Sequence, residues 1–544
     1  MRGQGTRWRR NPKGWVAVFF IALTLIGLLT VDDYGAPYDE LSEMLIIRAN
    51  LQEYAVRLEG RDGKSVFSRM NFPPMSEYIE RDHGICGYYL LAPFLPYAVM
   101  SDIHHMSTLW SVLTWLWFML GCFSLYSLMR CLGVSRVLSC CSVLLLYLYP
   151  RFFAEGHYNN KDVVLLSFVL FTLWTGARFL DKPGFGRGLL FSLAGAMATN
   201  TKIIGALPWG LIGLAAVLLI SVNRQWSLKM AGVALSTIAA YLCFFALLTP
   251  ALWDDPLKYL EYVLVNATQF SRFGGVVLFR GADFYDVQGT TPLPWYYLPY
   301  YLLVSIPLYT LALAALGQVR ALRLFFQKPR AVLGEYRTVL LLVCSLSWLV
   351  PLGYAMATRP LLYNGWRHFY FLYAGIASLA GFGLHTLWEL VQRRPMLRRL
   401  CAALLCVCLL ATGIGLALNH PYQFAYFNPL VRRDARRTMD LDTWNVAAAG
   451  AFERLYHMKH EQEPQLRVGC YFNDITIGAF KLPAPIRDSL VITAERDEPY
   501  LYYNATYAYI YWAQEPPEGY HILFEVKSYG NTIGVMYEKD GHGA

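Results

Sequence analysis

Between positions 32 and 43 five carboxylates, Asp32, Asp33, Asp39, Glu40 and Glu43, follow directly on an uncharged stretch, Trp15 to Val31. A carboxylate placed where a chain leaves a bilayer can take a proton from an acceptor hydroxyl while a lipid-borne substrate reacts beside it. In an inverting transfer of a sugar the base works on the face opposite the leaving group, across an oxocarbenium-like transition state. A solvated acidic face is the competing reading, and spacing alone does not say which of the five would act. A lipid-phosphate leaving group needs cations near the headgroup plane, and Arg and Lys are the residues that pair with phosphate. The candidates are Arg151, His157 and Lys161 in RFFAEGHYNNKD, then Lys202, then Arg359, Arg367 and His368 in TRPLLYNGWRH. Snorkelling to lipid headgroups competes for each of them. Lys202 stands apart because it interrupts Gly188 to Asn223, which is otherwise uncharged, and an ionisable group in such a place is a functional candidate by default.

The elements that must position these groups are membrane helices. Of 544 residues, 56% are hydrophobic and only 16% charged, against about 25% charged in a soluble domain. A chain this apolar can offset its ordering entropy, which excludes disorder. Trp15 to Val31, Ile103 to Met129, Ile203 to Asn223, Met230 to Trp253, Val287 to Val319, Thr338 to Thr358 and Leu400 to Val431 carry no charge, and each reaches the roughly 17 to 25 residues that span a hydrocarbon core. Shorter runs, Val137 to Pro150, Val163 to Ala177, Gly188 to Thr201 and His368 to Trp388, bring the expected number of spans to eleven. His83 to Ser101 is also uncharged, but Pro93 and Pro96 break it, so an interfacial or re-entrant segment is expected there.

Orientation follows from Lys and Arg in the short loops. Twenty-one of them, from Arg2 through Arg399, fall on one face of the eleven-span arrangement, which predicts a cytoplasmic N-terminus at the plasma (inner) membrane and an outer C-terminus. The net charge of +9 is therefore a topology signal and calls for no nucleic-acid partner. The run Arg432 to Arg437 falls on the outer side, where long translocated segments are only weakly bound by the charge rule. An uncleaved anchor, not a signal peptide, is expected at the first span, because 17 apolar residues exceed the usual signal core of about 7 to 15.

The outer side receives more polypeptide than connections require. The expected organisation is a transmembrane domain over 1–418, with outer loops 32–101 and 250–291, followed by an extracytoplasmic α/β domain over 419–544. In that domain a helix is predicted over Asp442 to His460. Strands are predicted over Leu466 to Phe472, Ser489 to Thr493, Tyr507 to Tyr511, His521 to Val526 and Thr532 to Tyr537. The aromatic cluster Trp295, Tyr296, Tyr297, Tyr300 and Tyr301 reads as an interfacial belt, with sugar stacking as the alternative. Nearly all of the eleven cysteines lie inside predicted spans, so no disulfide framework is expected; Cys86 and Cys470 form the one pairing left open.

Several segments together resemble the glycosyltransferase-C superfamily, in the branch of protein O-mannosyltransferases and the aminoarabinose transferase of lipid A. YDELSEMLI resembles the Asp-Glu pair of that branch's first outer loop, which implies Asp39 as catalytic base with Glu40 as a supporting carboxylate. GHYNNKDVVLLSF is similar to the second-loop acidic motif and makes Asp162 a second acidic candidate. YNGWRHFYFLYAG resembles the late Arg-His motif, implying roles for Arg367 and His368 near the sugar phosphate. NHPYQFAYFNPL with MDLDTWNVAAAGAFERL resembles a signature of bacterial members known only as glycosyltransferases, from which this chain departs at Arg432-Arg433 and Thr443-Trp444.

The resemblance implies a polyprenyl-phosphate-linked sugar donor, used on the outer face and passed to an extracytoplasmic protein, lipid or polysaccharide. No cofactor is expected. A divalent cation at Asp39, Glu40 and Asp162 is the arrangement of oligosaccharide-transferring relatives and stays open. A transporter or flippase is the rival function; it predicts ionisable residues buried within spans and repeats between halves, and the sequence offers neither beyond Lys202.

Overall fold

Each of the eleven charge-poor stretches carries a helix in the computed structural model, which describes residues 14–61, 63–95, 103–268, 277–284, 293–327, 332–362, 365–431, 435–470, 473–504 and 516–542. Eight helices are long and apolar enough to cross a membrane: Ile103–Cys131, Asp162–Asp181, Ile203–Val222, Leu228–Leu248, Leu308–Gln327, Tyr336–Thr358, Leu372–Val391 and Pro395–Leu418. The other three stretches form shorter helices, Gly14–Leu29, Arg136–Tyr147 and Phe185–Thr201, of 16, 12 and 17 residues. The chain is thus a mainly helical, multi-pass membrane protein. Side-chain caps define several starts: Ser135 accepts from the Leu138 amide and Ser227 from that of Met230.

Burial sorts the helices into a centre and a rim. The most apolar windows of Asp162–Asp181 and Leu372–Val391 are 83% and 72% buried by protein, whereas that of Pro395–Leu418 is only 6% buried and faces outward. Small residues allow the close contacts. A β-carbon on Gly317 would meet the Leu379 carbonyl oxygen at 2.0 Å, and one on Gly383 the Leu313 carbonyl oxygen at 1.9 Å, so two helix backbones touch at these glycines.

The loop after the first helix is largely built structure. It forms the helix Glu40–Glu59 and a short 3-10 turn, Cys86–Leu91. Among the described residues no membrane-length helix lies between His83 and Leu95, and residues 96–102 fall outside them. The loop after Leu248 carries the helix Pro256–Thr268 and a two-stranded hairpin, β1 (Val277–Phe279) and β2 (Ala282–Phe284). Phe279 of that hairpin packs among Tyr296, Tyr297, Tyr300 and Tyr301 with centroid separations of 4.8 to 6.0 Å. Tyr297 and Tyr301 are buried and Trp295 is exposed, so the cluster expected as a lipid-facing belt closes mainly on protein.

Near the C-terminus a five-stranded sheet is built from β3 (Leu466–Cys470), β4 (Leu490–Thr493), β5 (Tyr500–Asn504), β6 (Tyr520–Ser528) and β7 (Asn531–Lys539), in the order β4-β3-β5-β7-β6. Strand β3 runs parallel to β4 and β5, and the rest of the sheet is antiparallel. The β6–β7 connection is a two-residue turn with Tyr529 and Gly530 at φ 48° and 78°, the positive-φ pair that a tight hairpin demands. The strand expected over 507–511 lies outside the described residues, and the neighbouring strand is Tyr500–Asn504. The helix expected from Asp442 starts later, at Ala447, with Val446 at its N-cap position, and the Asp442 carboxylate accepts from the Val446 and Ala447 amides at 3.2 and 3.0 Å. Cys86 and Cys470 are both free and buried.

The sheet module sits directly on the helical ends. The Tyr529 amide at the hairpin tip donates to Asn419 at 2.5 Å, and Ser528 donates to the Tyr422 carbonyl at 2.8 Å. The Tyr38 amide donates to the Trp444 carbonyl at 3.3 Å. Gly35 lies so close to Val446 that a β-carbon would meet its carbonyl oxygen at 2.4 Å.

Candidate active site

The candidate residues meet where four chain segments end or begin. Asp39 is the N-cap residue of Glu40–Glu59, and Lys161 and Asp162 open the helix Asp162–Asp181. Lys202 follows the last residue of Phe185–Thr201, while Arg367 and His368 form a 3-10 turn just before Leu372–Val391. Two helices therefore carry candidate acids at their first turns.

Three ion pairs fill that region. Arg367 Nη1 lies 3.4 Å from Asp39 Oδ2, Lys161 Nζ contacts Glu43 Oε1, and Lys202 Nζ contacts Asp162 Oδ1. The pairs lie close enough to act on one another. Burial by itself lowers the Lys161 ammonium, but Glu43 and Asp39 outweigh that and hold it above its ordinary value. Burial lowers Lys202, opposed by Asp162 and reinforced by Lys161 and Arg367. His368 is held well below the usual histidine range by burial and by Lys202, Arg367, Lys161 and His83, which keeps its ring neutral. His83 brings a further nitrogen, with Nδ1 3.2 Å from Lys161 Nζ.

The acidic members differ in exposure, and that difference bears on chemistry. The side chain of Asp39 is 36% exposed while Arg367 is nearly buried, so the carboxylate borders solvent and its partner is fixed behind it. Arg367 is held by Tyr38 Oη at 3.1 Å and lies 4.1 Å over the Trp444 ring, a cation–π contact supplied by the chain after the last long helix. Glu40 turns away from Asp39. It is buried, neither of its oxygens has a hydrogen-bond partner among the described residues, and burial pushes its carboxyl up to about 7 against the pull of Lys481 and Ser107. Asp39 pairs with Arg367 and Asp162 with Lys202, while Glu40 is buried with no ion pair among the described residues, so the three acids do not gather as one ligand set.

Arg151 and His157 lie outside the cluster. Arg151 is buried, donates to the Tyr426 carbonyl at 3.2 Å and stacks 4.6 Å over Phe427. His157 is sandwiched between the Tyr34 and Trp115 rings, each with its centroid at 4.3 Å, and its nitrogens face the Phe153 and Gly27 carbonyls. Burial lowers His157 to about 3, so the ring is a neutral packing element. Among the described residues, one set could gather ligands for a metal: Glu80, Asp82 and His83, beside Lys161.

Sequence reasoning passed over Glu155, although it is the acid inside RFFAEGHYNNKD. It is buried, accepts from Tyr370 and from Asn159 at 2.6 Å each, and burial raises its carboxyl against those bonds and Arg151. Asn159 also accepts from the Asp162 amide at 2.8 Å, so Glu155 braces the start of the helix that carries Asp162. Tyr38 and His83 were missed as well; single aromatic and imidazole side chains in a long loop carry no spacing signal.

No family model matches the chain, and no curated protein matches it. Among solved structures, the crystal structure of ArnT from Cupriavidus metallidurans bound to undecaprenyl phosphate is similar over 97% of this chain and 98% of that one, at 12% sequence identity and a TM-score of 0.46.

Proposed function

We propose that this chain is an inverting membrane glycosyltransferase that moves a sugar from a polyprenyl-phosphate carrier to an acceptor outside the cytoplasm. The observation that carries the reading is the pairing of a partly exposed carboxylate, Asp39, with a buried arginine, beside two further lysines at the same ends of the helices. Asp39 takes the proton of the attacking acceptor hydroxyl as that oxygen bonds to the sugar's anomeric carbon. The bond from that carbon to the phosphate oxygen breaks, and the charge left on the lipid phosphate falls to Arg367, Lys161 and Lys202. Neutral His368 supplies a hydrogen bond without adding repulsion among the cations. The cluster end of the helices is the outer face and the N-terminus is cytoplasmic in this reading, because the basic loops lie at the opposite ends. Ionisable groups gathered at helix ends support surface chemistry over a relay through the bilayer.

The test is Asp39→Asn in a deletion strain, with envelope glycans read by mass analysis and transfer followed in membranes. Loss of a general base lowers the rate by about 10²- to 10⁴-fold, so the glycan made by the wild type should vanish while the variant accumulates normally. Glycans restored by Asp39→Asn would remove Asp39 as the base.

A further inference from the structure

Glu155 is 1% exposed, and no step of the proposed reaction uses it. It ends the short helix Pro150–Glu155, and its two carboxyl oxygens receive two separate donors, Tyr370 Oη at 2.6 Å on one and Asn159 Nδ2 at 2.6 Å on the other. Each donor belongs to a different part of the charge cluster. Tyr370 closes the turn that carries Arg367 and His368, its amide donating to the Arg367 carbonyl at 3.1 Å. Asn159 sits before the helix that carries Asp162, and its side-chain oxygen accepts from the Asp162 amide at 2.8 Å and the Lys161 amide at 3.4 Å. Both donors are buried, so neither exchanges its partner for bulk water.

The bond to Tyr370 spans 215 positions of sequence, so a single side chain joins two turns that the chain order keeps far apart. We infer that Glu155 is a positioning residue: its buried carboxyl ties the Arg367–His368 turn to the Lys161–Asp162 helix start, and so sets the spacing of the cations that take up the lipid phosphate. As an aid to phosphate binding the tie rests on the proposed transferase reading; as a link between two turns it does not. Nor does it depend on the charge of Glu155. Ionised, the group accepts from both donors; protonated, one oxygen donates to Tyr370 Oη while the other still accepts from Asn159. A glutamine does the same, with Nε2 donating to Tyr370 Oη and Oε1 accepting from Asn159. A leucine of similar size does neither, and it leaves the buried Tyr370 and Asn159 donors unpaired.

The experiment is hydrogen exchange, read by mass spectrometry on the full chain in lipid nanodiscs, for wild type, Glu155→Leu, Glu155→Gln, Tyr370→Phe and the double variant Glu155→Leu with Tyr370→Phe. Glu155→Leu should speed exchange of amides in both 159–165 and 367–373 by about tenfold, the effect of leaving buried donors unpaired, while strand β7 keeps its wild-type protection. Glu155→Gln should stay within about twofold of wild type in both segments. Tyr370→Phe cuts the tie on one side and should speed 367–373 alone, and the double variant should exchange there no faster than Glu155→Leu, because both changes remove the same bond. A side chain that merely fills space would be replaced by leucine as well as by glutamine. A change confined to one segment in Glu155→Leu, or Glu155→Gln as fast as Glu155→Leu, overturns the inference. If Glu155→Leu does not fold, Tyr370→Phe decides: faster exchange over 367–373 supports the tie and unchanged exchange overturns it. Titration of the same samples with undecaprenyl monophosphate reads the consequence for the site, with Glu155→Leu expected to bind about tenfold more weakly than wild type and Glu155→Gln equally well. Equal binding by all variants overturns the role in spacing the cations. If the wild type binds no undecaprenyl monophosphate while exchange behaves as expected, the tie stands and the transferase reading fails.

Discussion

Lys202 and Asp162 allow the phosphate-binding reading to be tested against a sign rather than a loss. Lys202 Nζ is in contact with Asp162 Oδ1 in the resting protein. A lipid phosphate that takes up Lys202 must therefore sit beside the Asp162 carboxylate. At a separation of about 5 Å and an effective dielectric constant of about 20, two unit charges repel by about 3 kcal/mol, roughly a hundredfold in affinity. Asp162 is 5% and Lys202 21% exposed, so solvent relieves part of this; Asp162→Asn is expected to tighten binding by at least about tenfold. Lys202→Met removes one charge-assisted contact and should weaken binding by about 10- to 100-fold. The assay is a titration of purified full-length protein with undecaprenyl monophosphate, for wild type and both variants, at one ionic strength. If Asp162→Asn weakens binding as Lys202→Met does, Asp162 serves to aim Lys202, and the account of phosphate displacing the carboxylate is refuted. If neither variant changes binding, the phosphate does not enter this cluster.

Two further predictions concern the sheet module. Burial raises Asp442 from its ordinary 3.8 to about 7, against the amides of Ala447 and Val446. A carboxyl raised on folding contributes full stability below its unfolded value, and that contribution is lost as pH rises through its folded value, by up to about 4 kcal/mol. Asp442→Asn keeps the acceptor oxygen, so it should melt above the wild type at pH 8.5, with the gap narrowing toward pH 5; a lower melting point at pH 8.5 contradicts this. Gly35→Ala forces a β-carbon against the Val446 carbonyl and the Ala449 side chain and should destabilise by about 1–3 kcal/mol. Faster proteolysis of the sheet module in Gly35→Ala is the expected readout, and unaltered proteolysis would show that the loop yields without separating the two surfaces.

Much of the membrane half was legible because a long charge-free stretch has few solutions in a bilayer, and every such stretch holds a helix. Helix starts were less legible: Asp442 looked like the first residue of a helix and instead precedes it, its carboxylate accepting from the Val446 and Ala447 amides. Of the candidate residues, Asp39, Lys161, Asp162, Lys202, Arg367 and His368 come together, but their pairings could not be read from the sequence. Asp39 meets Arg367 across 328 positions, and Glu43 meets Lys161 across more than a hundred, separations at which local spacing has no meaning. The neighbours Asp39 and Glu40 read as one motif, yet adjacent helical residues point about 100° apart, and Asp39 pairs with Arg367 while Glu40 is buried with no ion pair among the described residues. His157 read as a phosphate partner alongside Arg151 and Lys161, but its ring fits between Tyr34, in the turn after the first helix, and Trp115, midway along Ile103–Cys131.

The three facing pairs of charges in the candidate site also bear on what the site ignores. Arg367 with Asp39, Lys161 with Glu43 and Lys202 with Asp162 cancel one another at rest. A cancelled set casts little field into bulk water, so dissolved anions are neither steered toward it nor concentrated by it. A molecule tethered by an isoprenoid chain needs no such pull, since its tail confines it to the leaflet and raises its local concentration at the cluster. On the proposed reading, selectivity for membrane-borne phosphates over nucleotides and inorganic phosphate follows from electroneutrality, with anchorage in two dimensions doing what attraction from solution does in a basic cleft.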